Sequence, residues 1–311
     1  MPSTISSAML LAAGRGQRLA PLSDQRPKPL FPVLNEPMLH YWLQKLADLG
    51  MAKVVINAHY LRERIVAYAE TVRPEFPSLE IVLSLEDAVL GTGGGLKKAR
   101  SHFDQPFLVV NSDIHATINL ASLAVAHSDD PSAIATVAVL DFPAKATVSV
   151  DDAGAVLGFR KPAPLPGERR KLRGAGIMAL NPEALDLIPD GPADIIEELQ
   201  KRIDAGARAR AYREATPFEW RDMGTVSEYY SLNASLARGG HFIAPGARLE
   251  GESEGFLIAA KGARVHQGAF VKNCVLWENA VVEPGARLES MIVAGRVAAG
   301  VRLTGGVAIA P

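Results

Sequence analysis

Residues 8–22 read Ala8-Met9-Leu10-Leu11-Ala12-Ala13-Gly14-Arg15-Gly16-Gln17-Arg18-Leu19-Ala20-Pro21-Leu22, and Arg26-Pro27-Lys28-Pro29-Leu30 follow shortly after. The apolar run predicts a buried strand over Ala8–Ala12. Two glycines follow it directly, and then two cations, Arg18 and Lys28. A strand that opens into a glycine turn lets the main chain approach an anion and present its N–H groups. Arg18 can grip phosphate oxygens two at a time, and Lys28 adds a compact charge. The stretch reads as a phosphate cradle at the end of a sheet strand.

Three kinds of phosphate site compete for this pattern. A dinucleotide fingerprint needs a third glycine and a ribose-binding acid about 20 residues on. Here cations follow instead. A P-loop needs Gly-Lys-Ser/Thr after the turn, which is missing. A nucleoside triphosphate held for attack at one of its own phosphates accounts for both cations, because it carries several charges to neutralise. A plain surface turn would not need the Pro-Lys-Pro-Leu that completes the run.

Outward from this stretch, the first half alternates strands and helices. Pro37–Leu49 reads as a helix, with Leu39, Trp42, Leu43, Leu46 and Leu49 on one face and Gly50 as its stop. Strands are expected at 53–57, 80–85 and 107–110, and helices at 61–68 and 96–100. This alternation argues for an α/β fold, a Rossmann-like mixed, mostly parallel sheet with helices on both faces. Ligands of such sheets sit at the carboxyl ends of the strands. Gly14–Gly16 and Asp113 each follow a strand directly and can face one cleft. Further strands are expected at 133–140 and at 147–159, the latter folded at Asp151-Asp152-Ala153-Gly154, with helices at 193–205 and 226–236.

The opening run resembles the signature of the sugar-1-phosphate nucleotidylyltransferases, Leu-Ala-x-Gly-x-Gly-x-Arg-Leu-x-Pro-Leu-Thr followed by Pro-Lys-Pro-Leu. Only the Thr is changed, to Ser23. The resemblance extends over residues 8–237. It implies that Leu11, Ala13, Gly14 and Gly16 bind the nucleotide, and that Arg18 and Lys28 are catalytic. It also makes Asp113, after Val109-Val-Asn-Ser, and Asp222, in Trp220-Arg-Asp-Met-Gly-Thr225, the pair that holds Mg2+. Two polyanions must meet in such a reaction, and a hard, oxygen-ligated cation removes their repulsion. Taken singly, an Asp before a helix is more often an N-cap than a ligand.

Leu90-Gly91-Thr92-Gly93-Gly94-Gly95 matches the family's Leu-Gly-Thr-Ala-Gly-Ala segment beside the nucleobase, which assigns Gly91, Thr92 and Gly93 to nucleotide binding. The alternative is a flexible loop before the helix at 96–100. The third glycine resembles N-acetylmuramate 1-phosphate uridylyltransferases, whereas the Gly-Thr segment and the tail resemble mannose-1-phosphate guanylyltransferases, so GTP and UTP stand level. Asn57 is placed near the substrate. His59 reads as a surface or core histidine. Phe159-Arg160-Lys161-Pro162 occupies the family's Phe-x-Glu-Lys-Pro site and assigns Lys161 to the sugar phosphate. Arg160 stands where the family has Glu, which suggests a more acidic or differently oriented ligand. Gly176, in Gly174-Ala-Gly176-Ile, would back the sugar ring; a strand bulge is the other reading of these glycines.

After Arg238-Gly-Gly240 the texture changes. Gly-Ala-x-aliphatic recurs at 246–249, 262–265, 268–271 and 285–288, with weaker copies at 279–282 and 300–303, several of them six residues apart. This spacing predicts a parallel β-helix with the aliphatic turned inward, and it disfavours a β-sandwich. The segment resembles the small C-terminal left-handed parallel β-helix of many nucleotide-sugar pyrophosphorylases. The expected domains are therefore 1–237, catalytic, and 241–311, a hexapeptide-repeat tail through which a homodimer or higher homo-oligomer forms.

Composition agrees with these expectations. The chain has 311 residues and net charge −1, with no basic footprint for nucleic acid. Its single cysteine, Cys274, excludes an intrachain disulfide and fits a reducing cytoplasm. No apolar run is long enough to span a membrane, and the first residues, Met1–Ser7, do not read as a signal peptide. The expected reaction is nucleotidyl transfer from a nucleoside triphosphate to a sugar 1-phosphate. Its rivals are a cytidylyltransferase for choline phosphate, which lacks the tail, and a regulatory subunit that binds a nucleotide sugar without making it.

Overall fold

The computed structural model describes residues 5–142 and 145–309. Met1–Thr4, part of the stretch read as lacking a leader, and the last two residues of the tail lie outside them. Packing divides the chain into two compact units: Met1–Gly14 with Trp42–Trp220, and Arg15–Tyr41 with Arg221–Pro311. The division at 237/241 expected above follows the change in sequence texture. Packing follows another line, because the cation-bearing loop at 15–41 sits with the tail.

The first unit is built on a nine-stranded sheet. Its central strand, Ser7–Leu11, pairs in parallel with Lys53–Ala58 on one side and Phe107–Asn111 on the other, and Lys53–Ala58 pairs in parallel with Glu80–Leu85. The strand order reverses beside the central strand, and the crevice of an α/β sheet opens at such a switch point. Arg170–Leu180 runs antiparallel to Phe107–Asn111 and to Ala133–Leu140, which pairs in parallel with Arg208–Arg213. The strand expected at 147–159 is a hairpin of Val148–Val150 and Val156–Phe159, turned where the Asp151 carboxylate accepts from the N–H groups of Ala153 and Ala155 at 2.9 and 2.8 Å.

The helix Met38–Asp48 follows from its periodicity. Leu39, Trp42, Leu43 and Leu46 are fully buried, and Gly50 takes the left-handed backbone that ends it. Trp42 buries its indole and donates Nε1–H to the Ile114 carbonyl at 2.7 Å. The helix expected at 61–68 runs further, over Arg62–Val72. The glycine-rich segment is not the flexible loop that was one of the two readings offered for it. It forms the first turns of a helix, Gly91–Lys98. Glycine is a poor helix former, so a tertiary cause is needed, and it lies in the backbone at 191–195. A Cβ on Gly94 would stand 2.2 Å from the Gly191 carbonyl oxygen, and one on Gly93 3.1 Å from that of Ala193. Only a helix without side chains there can come so close.

In the second unit two parallel ladders stack coil on coil. One contains His241–Ile243, Glu252–Ala259, Phe270–Leu276, Arg287–Val293 and Arg302–Ala308; the other contains Arg248–Leu249, Arg264–Val265, Val281–Val282 and Arg296–Val297. In the Gly-Ala-x-aliphatic repeats the glycines at 246, 262, 268, 285 and 300 all have positive φ, and Asn279 supplies it in the weaker copy. Ala263, Ala269, Ala280 and Ala286, with Val265, Val271, Val282 and Leu288, are buried in a core of their own. Leu303, the aliphatic of the last copy, is 36% exposed rather than turned inward. It lies on the outermost described strand, which is paired on one side only.

The loop at 15–41 is anchored to this tail. Phe31, Tyr229 and Trp277 form an edge-to-face aromatic cluster. Trp277 Nε1–H donates to the Tyr229 hydroxyl at 2.9 Å, and that hydroxyl donates to the Pro32 carbonyl at 2.6 Å. Burial pushes the Tyr229 phenol far above its ordinary range. Arg26 makes two bonds to the Glu278 carboxylate, at 3.1 and 2.7 Å, with its guanidinium 4.7 Å over the Trp277 ring.

Candidate functional site

A cavity of about 190 Å³ opens at the carboxyl ends of the central strands. It is lined by Leu11, Ala13, Gly14, Asn57, Glu86, Val89, Gly91, Thr92, Asn111 and Asp113. Leu11, Asn57 and Asn111 are register partners on three neighbouring strands, so the sheet itself sets them side by side. Asn57 is buried and spans the site: its Oδ1 accepts from the Ala12 N–H at 2.7 Å, and its Nδ2 donates to Glu86 Oε1 at 2.7 Å. The other Glu86 oxygen accepts from the Leu90 N–H at 3.3 Å, and Glu86 is fully buried. One side-chain chain of hydrogen bonds thus joins the cradle strand to the start of the glycine helix. Gly95 is required by it, since a Cβ there would lie 2.7 Å from both Asn57 Nδ2 and Glu86 Oε1.

A second cavity, about 390 Å³, shares Thr92 and Asn111 with the first. Phe159, Gly174, Gly176, Met178, Lys145, Arg160, Arg173 and Asp194 are among its lining residues. Thr92 Oγ1 accepts from the Ile195 N–H at 3.0 Å, fixing the wall between the two spaces. Gly176 has φ 70° in a register shift of Arg170–Leu180, and a Cβ on it would meet Ile114 at 2.3 Å and Asn111 at 2.8 Å. The bulge and the lining role are therefore the same feature.

In the second unit, Gly16 takes a left-handed backbone and ends beside Lys28: a Cβ on it would lie 3.5 Å from the Lys28 Cβ. Lys28 is nearly buried, with its ammonium 3.9 Å from Asp222 Oδ1. A Cβ on Gly224 would stand 3.0 Å from Arg18 Nη2 and 3.4 Å from Asp222 Oδ1. Arg18, Lys28 and Asp222 are thus gathered around Gly224. Thr225 then caps the helix Val226–Ala237, accepting from the Glu228 N–H at 3.2 Å, with the Glu228 carboxylate 3.1 Å from its hydroxyl.

Of the residues singled out from the sequence, Leu11, Ala13, Gly14, Asn57, Gly91, Thr92 and Asp113 line the first cavity, and Gly176 lines the second. Gly16, Arg18, Lys28 and Asp222 cluster in the other unit. Gly93 lines neither cavity; its N–H donates to the Ala193 carbonyl at 2.8 Å. Lys161 also lies outside both linings, with its ammonium 3.9 Å from the Asp204 carboxylate. Sequence reasoning singled out Arg160, which lines the second cavity, but missed Glu86, Asn111, Gly224 and that cavity's Lys145, Arg173 and Asp194. Glu86 did carry a signal: it extends the alternation of Glu80–Leu85 past its end, sharing a face with buried Ser84 while Leu85 points out.

The nucleotidyl transferase family model matches residues 7–239. The UTP–glucose-1-phosphate uridylyltransferase of Synechocystis sp. is 28% identical over 93% of this chain and 87% of its own. A probable mannose-1-phosphate guanylyltransferase of Oryza sativa subsp. japonica is 30% identical over 92% and 80%. Among solved structures, HddC from Yersinia pseudotuberculosis complexed with GMP-PN superposes with a TM-score of 0.62 at 18% identity, covering 75% of this chain and all of that one. This chain belongs to the nucleotidyl transferase family, in the group of sugar-1-phosphate nucleotidylyltransferases that its opening run resembles.

Proposed function

We propose that the chain transfers a nucleotidyl group from GTP or UTP to a sugar 1-phosphate, releasing pyrophosphate and a nucleotide sugar. The observation that carries this reading is the pair of adjoining cavities. The smaller is walled by the opening motif and by Gly91–Thr92 and would take the nucleoside; the larger, joined to it at Thr92 and Asn111, would take the sugar. The relatives named as uridylyl- and guanylyltransferases support it.

An oxygen of the sugar phosphate attacks the α-phosphorus, the bond to the bridging oxygen breaks, and pyrophosphate leaves with its electron pair. A phosphate is already a nucleophile at neutral pH, so no Ser, Cys or His nucleophile is needed. The protein supplies position and charge neutralisation. The Gly14–Gly16 backbone and Arg18 hold the triphosphate, and Lys28 holds the α-phosphate. Asp113 and Asp222 are hard oxygen donors of the kind Mg2+ takes. Among the described residues no group of three or more His, Cys, Asp or Glu forms a dedicated cage, which fits an ion held by one or two carboxylates with substrate phosphates completing the shell. When bound, Mg2+ offsets the repulsion of the two polyanions and polarises the α-phosphate.

Among the described residues no helix is long and apolar enough to cross a membrane. A cytoplasmic location and a homo-oligomer formed through a left-handed tail complete the proposal. The test is pyrophosphate release from four nucleoside triphosphates against a panel of sugar 1-phosphates with magnesium. One triphosphate–sugar pair turns over, and Asp113→Ala or Asp222→Ala abolishes it with the fold intact. Binding of a nucleotide sugar with no release from any pair would decide for the regulatory subunit.

A further inference from the structure

We propose that Asn57 and Glu86 are positioning residues for the nucleotide: their buried pair fixes the two stretches of chain that the nucleoside lies against, Ala13–Gly14 and Gly91–Thr92, and so sets the affinity for the triphosphate. This rests on the nucleotidyl-transfer reading, which puts the nucleoside in the smaller cavity. Three hydrogen bonds run in series from one stretch to the other. The Ala12 N–H donates to Asn57 Oδ1 at 2.7 Å, Asn57 Nδ2 donates to Glu86 Oε1 at 2.7 Å, and the Leu90 N–H donates to Glu86 Oε2 at 3.3 Å. Ala12 is the first residue past the central strand, and Ala13 and Gly14 follow it into the cavity lining. Leu90 stands one step before Gly91 and Thr92, which line the same cavity. Asn57 and Glu86 are 2% and 0% exposed. Both belong to the lining of the smaller cavity and not, among the described residues, to that of the larger.

The pair has one arrangement. A backbone N–H only donates and a carboxylate only accepts, so the Asn57 amide can face one way alone. Glu86 is held by its main chain as well. Its N–H donates to the Ala58 carbonyl at 2.8 Å, and its own carbonyl accepts from Arg62 Nη1 at 3.3 Å. That carbonyl also lies 3.0 Å from His59 Nδ1, a contact that puts the ring proton on Nδ1. Gly95 leaves the room, since a Cβ on it would lie 2.7 Å from both Asn57 Nδ2 and Glu86 Oε1. Burying a carboxylate is costly, and apolar side chains of similar volume fill a core at least as well. What the polar pair adds is a fixed distance between two stretches of backbone. Groups that hold a ligand must keep their places to within about 0.5 Å.

The test rebuilds the pair with its central bond reversed. In Asn57→Asp with Glu86→Gln, the new carboxylate accepts from Ala12 and from the new carboxamide, whose oxygen accepts from Leu90. All three bonds and the net charge are kept. Either change alone breaks the series. Asn57→Asp sets a second carboxylate oxygen 2.7 Å from Glu86 Oε1, where an N–H stood. Glu86→Gln sets an NH2 group against a donor on Asn57 or on Leu90, whichever way it turns. Below the melting temperature of every variant, dissociation constants are measured for GTP and UTP with magnesium, beside the KM of both substrates by pyrophosphate release. Each single variant raises the dissociation constant and KM of the triphosphate about tenfold or more, the scale of one buried polar group left unpartnered. The KM of the sugar 1-phosphate stays close to that of wild type. The double variant recovers triphosphate affinity to within about threefold of wild type, the coupling expected of groups in one network. Glu86→Gln, which keeps one of its two bonds, carries the comparison if Asn57→Asp does not fold. Unchanged triphosphate affinity in the single variants, a double variant no better than the worse single, or a loss shared equally by the sugar 1-phosphate overturns the inference. So does a double variant that recovers its melting temperature but not its affinity. A wild type that binds triphosphate yet releases pyrophosphate with no sugar 1-phosphate is a different result: it overturns the transfer reading, and the dissociation constants still decide the role of the pair.

Discussion

Replacing Gly94 by Ala should destabilise this protein, although Gly→Ala inside a helix ordinarily stabilises it by about 1 kcal/mol. Gly94 lies within the helix Gly91–Lys98, and a Cβ on it would stand 2.2 Å from the Gly191 carbonyl oxygen and 3.0 Å from the Leu90 Cβ. Relief needs the two backbones to part by about 1 Å, given that non-bonded contacts settle near ~3.5 Å. They cannot part freely. The N–H groups of Gly93 and Gly94 donate to the Ala193 carbonyl at 2.8 and 3.3 Å, and the Ala193 N–H donates to that of Leu90 at 2.9 Å. Overpacking costs about 1–3 kcal/mol, and each weakened hydrogen bond about 1 kcal/mol. Set against the helix gain, the net is a loss of about 2 kcal/mol, or a Tm lower by roughly 4 °C or more. Thermal melts of wild type, Gly94→Ala and Gly93→Ala decide it. Gly93 is the internal comparison, because its Cβ contacts start at 3.1 Å and it should sit much nearer wild type. A Gly94→Ala melt at or above that of wild type, or a Gly93→Ala variant worse than Gly94→Ala, refutes the reasoning.

Gly14→Ala separates function from stability: a Cβ there meets nothing within 4 Å, so Tm should hold while the KM for triphosphate rises, as read by melts beside pyrophosphate release. Glu278→Gln weakens the bidentate grip on Arg26 and should lower stability by about 1 kcal/mol or less, the pair being partly exposed; a thermal melt checks it, and slower turnover would show that the loop bearing Lys28 depends on the tail. His127 is buried between Thr136 and Asn181, and burial lowers its pKa from 6.5. Its neutral form is favoured in the fold, so stability is full above about 6.5 and is lost as pH falls toward the depressed value, where the unfolded chain binds the extra proton. Urea titrations from pH 7.5 down to 5 should show this slope, and His127→Gln should flatten it.

Much of the site was legible because its chemistry is local in sequence. The strand into Gly14, the cations at 18 and 28, and the helix carrying Trp42 each announce themselves within a dozen residues, and the Gly-Ala repeats announce coils most of whose alanines are buried. What stayed hidden depends on partners far along the chain. Gly93–Gly95 look like a loop until the backbone at 191–195 and the Asn57–Glu86 pair are seen to press against them. Glu86 is an ordinary acid until the pairing of two strands, Lys53–Ala58 and Glu80–Leu85, brings it to Asn57. The grouping of the cation-bearing loop with the tail rests on Arg26, Phe31, Tyr229 and Trp277, which lie some two hundred residues apart and show no periodicity that would join them.

The central claim is attack on the α-phosphorus by the phosphate of the sugar. It is tested most directly by following label from the triphosphate. With the sugar 1-phosphate that turns over, α-labelled triphosphate should yield labelled nucleotide sugar, and γ-labelled triphosphate should yield labelled pyrophosphate and unlabelled sugar product. Label from the γ-position on the sugar, or α-label that remains in free nucleotide, would contradict the account.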